Sequence, residues 1–188
     1  MPQQDLLKHV VHALDRAAID YMITGSVASS LQGEPRSTHD LDVVIAIEQR
    51  EVPRLLASFP RADFYYDEGA VREAVRTGGM FNLIQVAEGD KVDLWLLTAD
   101  PFDQSRFARK YEEEVFGIRL KVSRAEDTIL QKLRWSRASG GSERPYLDAL
   151  RVYEVQAGHL DLGYIEKWVR ALGVDDLWKR ILEEAEEM

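Results

Sequence analysis

The chain has 188 residues and no cysteine, with 45% hydrophobic and 30% charged side chains and a net charge of −9. Those values suit one moderate domain, or a small one with an appendage, and they exclude disulfides and thiolate metal sites, so a metal would be held by oxygen or imidazole. The acidic balance disfavours a sequence-blind nucleic-acid binder but leaves room for a local basic patch, and no run approaches the roughly twenty apolar residues of a membrane span, so a cytoplasmic protein is expected.

Leu6, Leu7, Val10, Val11, Leu14 and Ala18 recur at three- and four-residue steps, which predicts an amphipathic helix. A short strand over Asp20 to Thr24 follows, then a small-residue run, Gly25-Ser-Val-Ala-Ser-Ser-Leu-Gln32, that opens a helix with Ser26 near its start. Gly33-Glu-Pro35 ends it. Asp40-Leu-Asp-Val-Val-Ile45 alternates as a strand with both aspartates on one face. Helices are expected over Glu51 to Phe59 and Glu68 to Arg76, with a short strand at Asp63 to Tyr66 between them. Met80 to Ala87 and Lys91 to Leu97 read as a hairpin around Glu88-Gly-Asp90, and Asp93 is the one charge inside the apolar run of the second strand. A polar helix near Gln104 to Tyr111 and a strand or hairpin over Val115 to Val122 complete this part. Ser123-Arg-Ala-Glu126 has the form of a capping box, and from there the chain reads as helices broken at Ser139-Gly-Gly-Ser142, Gly158 and Gly173. The expected organisation is therefore a mixed α/β core, residues 1–122, followed by a helical part, residues 123–188.

Two like charges on alternate strand positions repel, so something must offset them. Aspartates at a strand end can simply cap a loop or face solvent, but three features point to a hard metal site beside a phosphate cradle. Gly25-Ser26 stands at a strand-to-helix turn, where free amides and the helix dipole favour an anion. That turn and the aspartates lie on consecutive strands, and Asp93 is a third carboxylate in an apolar strand where an unpaired charge is costly. Three carboxylates converging beside a phosphate site describe two-magnesium phosphoryl transfer.

Gly25-Ser26, thirteen further residues, Asp40-Leu-Asp42 and then Val43-Val-Ile resemble the signature of the DNA polymerase β-like nucleotidyltransferases, with Asp93 where their third carboxylate falls. The resemblance covers about the first hundred residues. It implies an α/β (α+β) fold with a mixed sheet, Asp40 and Asp42 binding two Mg²⁺ ions, Asp93 completing one metal site and helping to deprotonate an attacking hydroxyl, and Gly25 and Ser26 holding a nucleoside triphosphate. Arg36 could reach those phosphates or only neutralise the aspartates, and both readings stay open. His39 is left out of the metal set because magnesium prefers oxygen.

In the helical part, Lys132-Leu-Arg-Trp135, a break, and Arg144-x-x-x-Asp148 resemble the C-terminal region of abortive-infection-type bacterial nucleotidyltransferase toxins. That likeness implies phosphate binding by Lys132, with Asp148 orienting it or an arginine, and a helical part packed against the active-site cleft. Read without it, Arg144 and Asp148 are an i, i+4 surface pair. The expected activity is metal-dependent transfer of a nucleoside monophosphate to a hydroxyl of a tRNA, a protein or a small molecule. The rival is a non-catalytic nucleotide-binding or toxin–antitoxin partner protein, and a homodimer or an antitoxin-like partner is possible on either reading.

Overall fold

The structure is a computed structural model and describes residues 2–36 and 40–185. His39 lies outside them. The chain divides into two compact units, Met1–Ile23 with Thr38–Val122, and Thr24–Ser37 with Ser123–Met188.

The first unit carries one seven-stranded mixed sheet. Its strands are β1 (Asp20–Ile23), β2 (Asp40–Ala46), β3 (Phe64–Tyr65), β4 (Met80–Gln85), β5 (Lys91–Leu96), β6 (Tyr111–Val115) and β7 (Ile118–Val122), in the order β3-β4-β5-β2-β1-β7-β6. β2–β5 and β1–β7 are parallel and the other pairs antiparallel. The alternation read in the sequence is realised: Leu41, Val43 and Ile45 of β2 and Val92, Leu94 and Leu96 of β5 are buried on one face. Helix α1 (Pro2–Arg16) belongs to this apolar side, its His9 ring meeting Phe64 edge-on at 5.0 Å, with Leu6, Leu7, Val10, Val11 and Leu14 buried. On the other face Met22, Val44 and Phe107 form a smaller cluster with Trp95 and Leu97 packed against it.

Helix α2 (Gly25–Gln32) does not group with the strands that flank it in sequence. The division expected at Val122 would leave α2 with the sheet, whereas the second unit joins it to α6 (Ala125–Ala138), α7 (Glu143–Gln156), α8 (Leu162–Leu172) and α9 (Asp175–Glu184). The Gln32 amide donates to the Ser123 carbonyl at 2.5 Å, and Gln156 donates to the Gln32 carbonyl at 2.9 Å. Gly33 closes α2 because the chain passes against the α7 backbone there: a Cβ would lie 2.9 Å from the Val152 amide nitrogen.

Three local expectations need correction. The capping box at Ser123 does not form: Arg124 is the N-cap residue of α6, and the Glu126 carboxylate instead accepts from the Asp161 amide at 3.0 Å. The helix expected near Gln104 to Tyr111 is α5 (Pro101–Arg109), because Asp100 caps the amides of Phe102 and Asp103 and Pro101 fits the first turn. Tyr111 starts β6 instead, in a hairpin that turns at Phe116-Gly117 with both residues at positive φ. In the region expected as one helix from Glu51, a 3₁₀ turn (Gln49–Glu51) leads into α3 (Val52–Ala57), and α4 (Glu68–Thr77) stops at Gly78 in the left-handed conformation.

Candidate active site

In the first unit the pairing register settles which side chains share a face. Asp40 pairs with Lys91 and Asp42 with Asp93 across the parallel β2–β5 ladder, and Asn82 pairs with Asp93 across β4–β5. Paired positions point the same way. The three aspartates therefore lie on the sheet face opposite Leu41 and Val43, with Asp40 exposed, Asp42 half-buried and Asp93 buried. Each oxygen of Asp93 has a partner: Oδ1 accepts from the Asn82 amide, and Oδ2 lies 3.2 Å from the Lys91 ammonium. Asp42 Oδ1 accepts from the Trp95 indole N–H at 3.3 Å.

Lys91, Asn82 and Trp95 were not singled out in the sequence. The Lys91-Val-Asp93 alternation was the available signal, but only the register reveals that Lys91 also faces Asp40. Burial pulls the Lys91 ammonium down, yet its hydrogen bond to Asp93 and the charges of Asp93, Asp40 and Asp42 outweigh this and hold the amine above the usual lysine range. Among the described residues no three His, Cys, Asp or Glu side chains converge closely enough to hold a metal ion. The donor chemistry nevertheless suits a hard divalent cation, since the shared face offers carboxylate oxygens and the chain has no cysteine.

The second unit carries the phosphate-side candidates. Gly25 adopts φ 63°, which suits glycine, and lets the chain turn directly into α2. Thr24, the N-cap residue, makes no side-chain bond to the first-turn amides. Ser26 Oγ accepts from Arg36 Nη2 at 2.6 Å. Arg36 also grips Asp148 with two parallel bonds, Nε to Oδ1 and Nη2 to Oδ2, each 2.9 Å. Lys132 Nζ reaches the same Asp148 Oδ2 at 2.5 Å and is only 4% exposed, a depth at which an ammonium needs such a partner.

Ser26, Arg36, Lys132 and Asp148 are thus brought into one network. The i, i+4 reading of Asp148 with Arg144 is not realised, because Asp148 turns to the two other cations. Burial alone would raise its carboxyl, but the hydrogen bonds from Arg36 and Lys132 and their charges prevail and hold it below the usual carboxylate range. Trp168 and Trp178 are buried, and the Lys132 ammonium lies 5.8 Å from the Trp135 ring centroid. A cavity of about 280 Å³ opens beside this network, lined by Arg36, Arg144, Leu147, Asp148 and Arg151 among others.

The family model of aminoglycoside-2″-adenylyltransferases matches residues 6–77. Among solved structures, the antibiotic-resistance factor ANT(2″)-Ia in solution is 13% identical with a TM-score of 0.61, the likeness covering 98% of each chain. ANT(2″)-Ia in complex with adenylyl-2″-tobramycin is 14% identical with a TM-score of 0.60, over 92% of this chain and 98% of that one. The chain has a nucleotidyltransferase fold. An antigenic nucleotidyltransferase-like protein from Paracoccidioides brasiliensis shares that fold, at 19% identity and a TM-score of 0.53 over 95% of this chain and 92% of the other. No curated protein matches the sequence. The mixed sheet and flanking helices implied by the polymerase β-like signature are therefore present. Among the described residues no helix is long and apolar enough to cross a membrane.

Proposed function

We propose that this chain is a metal-dependent nucleotidyltransferase that moves a nucleoside monophosphate from a nucleoside triphosphate to a hydroxyl of a small cationic acceptor of the aminoglycoside class. The observation that carries the reading is the register that aligns Asp42 with Asp93 and puts Asp40 on the same face. Asp40, Asp42 and Asp93 would hold Mg²⁺, which when bound supplies positive charge to the reacting phosphates and to the departing pyrophosphate. Within the second unit, the first turn of α2 with Ser26, Arg36 and Lys132 would offer donors to the triphosphate. The acceptor oxygen bonds to the α-phosphorus, the bond to the β-phosphate oxygen breaks, and the hydroxyl proton passes to Asp93. The match of residues 6–77 to aminoglycoside adenylyltransferases and the net charge of −9 favour a cationic small molecule over tRNA.

The test is pyrophosphate release with each nucleoside triphosphate and Mg²⁺ against a panel of aminoglycosides, with tRNA and a cell extract as the other arms. Product with an aminoglycoside that disappears in Asp42→Asn supports the reading. Labelling of tRNA or protein instead would transfer the acceptor to those classes, and nucleotide binding without product in any arm would favour a binding protein.

A further inference from the structure

We propose that Lys91 is a built-in counter-ion of the acidic face, and that a divalent ion engages Asp93 there only by displacing the Lys91 ammonium. The inference rests on the reading of that face as a metal site and concerns what its occupation requires.

Lys91 opens β5, opposite Asp40 and two residues before Asp93, so the strand positions of this block hold three carboxylates and one ammonium. The ammonium sits on Asp93 Oδ2 at 3.2 Å while Asn82 fixes Oδ1. A buried carboxylate directly opposite Asp42 would be strained by like charge without it. The Lys91 side chain keeps 40% of its surface exposed. Its four-carbon stem can therefore swing to water while Asn82 continues to hold the carboxylate in place.

Displacement exchanges one positive charge for two. A divalent ion gains from that exchange, whereas a monovalent ion replaces like with like at the cost of its own hydration. Lys91 thereby sets a threshold: it offsets part of the aspartates' charge in the free protein, suppresses monovalent occupancy, and weakens divalent binding.

The probe is Mn²⁺, titrated without nucleotide into the full chain and followed by electron paramagnetic resonance, for the wild type, Lys91→Met, Lys91→Gln, Lys91→Arg and Asp42→Asn. Lys91→Met and Lys91→Gln should bind about tenfold tighter, the order expected when the ion no longer has to break an ion pair of two unit charges 3.2 Å apart at near-aqueous dielectric, and Lys91→Arg should stay near the wild type. In the wild type, saturating Mn²⁺ should increase acylation of Lys91 by an amine reagent, read by mass spectrometry; this arm needs no variant to fold. If Asp42→Asn leaves Mn²⁺ binding intact, the metal reading itself fails. If Asp42→Asn abolishes binding while the neutral variants bind no tighter, or while Mn²⁺ leaves Lys91 acylation unchanged or reduced, the metal reading stands and the counter-ion inference is overturned.

Discussion

The sheet unit and the helical unit each concentrate charge, and they do so in opposite proportion. On the sheet, Asp40, Asp42 and Asp93 share a face with Lys91, whose ammonium pairs with Asp93. Among the helices, Asp148 holds both Arg36 and Lys132. The first group is mainly carboxylate and the second pairs two cations with one carboxylate, which suits a cation and a polyphosphate respectively. The means also differ. In the sheet, neighbours are imposed by backbone pairing, so the aspartates are close whether or not their charges agree. In the helical unit Arg36 and Lys132 come to Asp148 through long side chains, so the network exists because its charges attract. Loss of a charge should therefore change chemistry in the first unit and stability in the second.

The strongest challenge to that contrast is Asp42→Asn. We expect pyrophosphate release to fall about a thousandfold or more, with nucleotide affinity changed less than about tenfold, because the carboxylate acts mainly on charge developing in the transition state. The melting temperature should stay level or rise slightly, since a like charge leaves the face while the amide oxygen can still accept from Trp95. A marked loss of melting temperature would erase the distinction.

Asp148→Ala should do the reverse. It removes the carboxylate that the buried Lys132 ammonium meets at 2.5 Å, and a loss of about 3–5 kcal/mol in denaturant unfolding is expected. Lys132→Met, which leaves Asp148 its arginine and supplies a chain of similar volume, should cost far less stability while weakening triphosphate binding in calorimetry. Equal losses from the two variants would mean that the pair is not the organising contact.

Gly33→Ala sharpens the same contrast through packing: the added methyl meets the α7 backbone, and about 1–3 kcal/mol should be lost with no change in Mn²⁺ binding at the acidic face.

Acidification gives the smallest effect. Asp148 has a folded pKa below its unfolded value of about 3.9, so the unfolded chain binds the proton more readily. Its stabilisation is present above the unfolded pKa and is lost as pH falls through the folded one. Between about pH 5 and pH 2 the unfolding free energy of the wild type should decline more steeply than that of Asp148→Asn, measured by denaturant titration at each pH.

Much of the sheet was legible because alternation and turn chemistry are local properties: β2, β4, β5 and the Gly78 stop all follow from residues within a few positions of one another. The aspartates were legible for the same reason, as charges that interrupt apolar strands. Lys91 and Asn82 were not, since their importance depends on which residues of three strands stand opposite one another. The capping box failed because Glu126 finds a partner 35 residues away that the local pattern does not contain. Periodicity alone puts Asp148 beside Arg144 on its own helix, whereas its partners Arg36 and Lys132 come from a loop 112 residues earlier and a helix 16 residues earlier, and only the C-terminal likeness pointed to the lysine or an arginine.

The grouping of α2 with the C-terminal helices also has a consequence for biosynthesis. Thr24 to Ser37 leave the ribosome early, but the Ser123 carbonyl that receives the Gln32 amide is made 91 residues later, and the Gln156 amide that caps the Gln32 carbonyl 124 residues later. Helix α2 has only eight residues, too few to persist by its own hydrogen bonds. The segment that carries Gly25, Ser26 and Arg36 must therefore wait, unpacked, while the strands of the other unit are translated around it. A nascent chain stalled near Val122 could assemble its sheet and still lack a folded α2, and release of the last helices is the event that would complete the second unit.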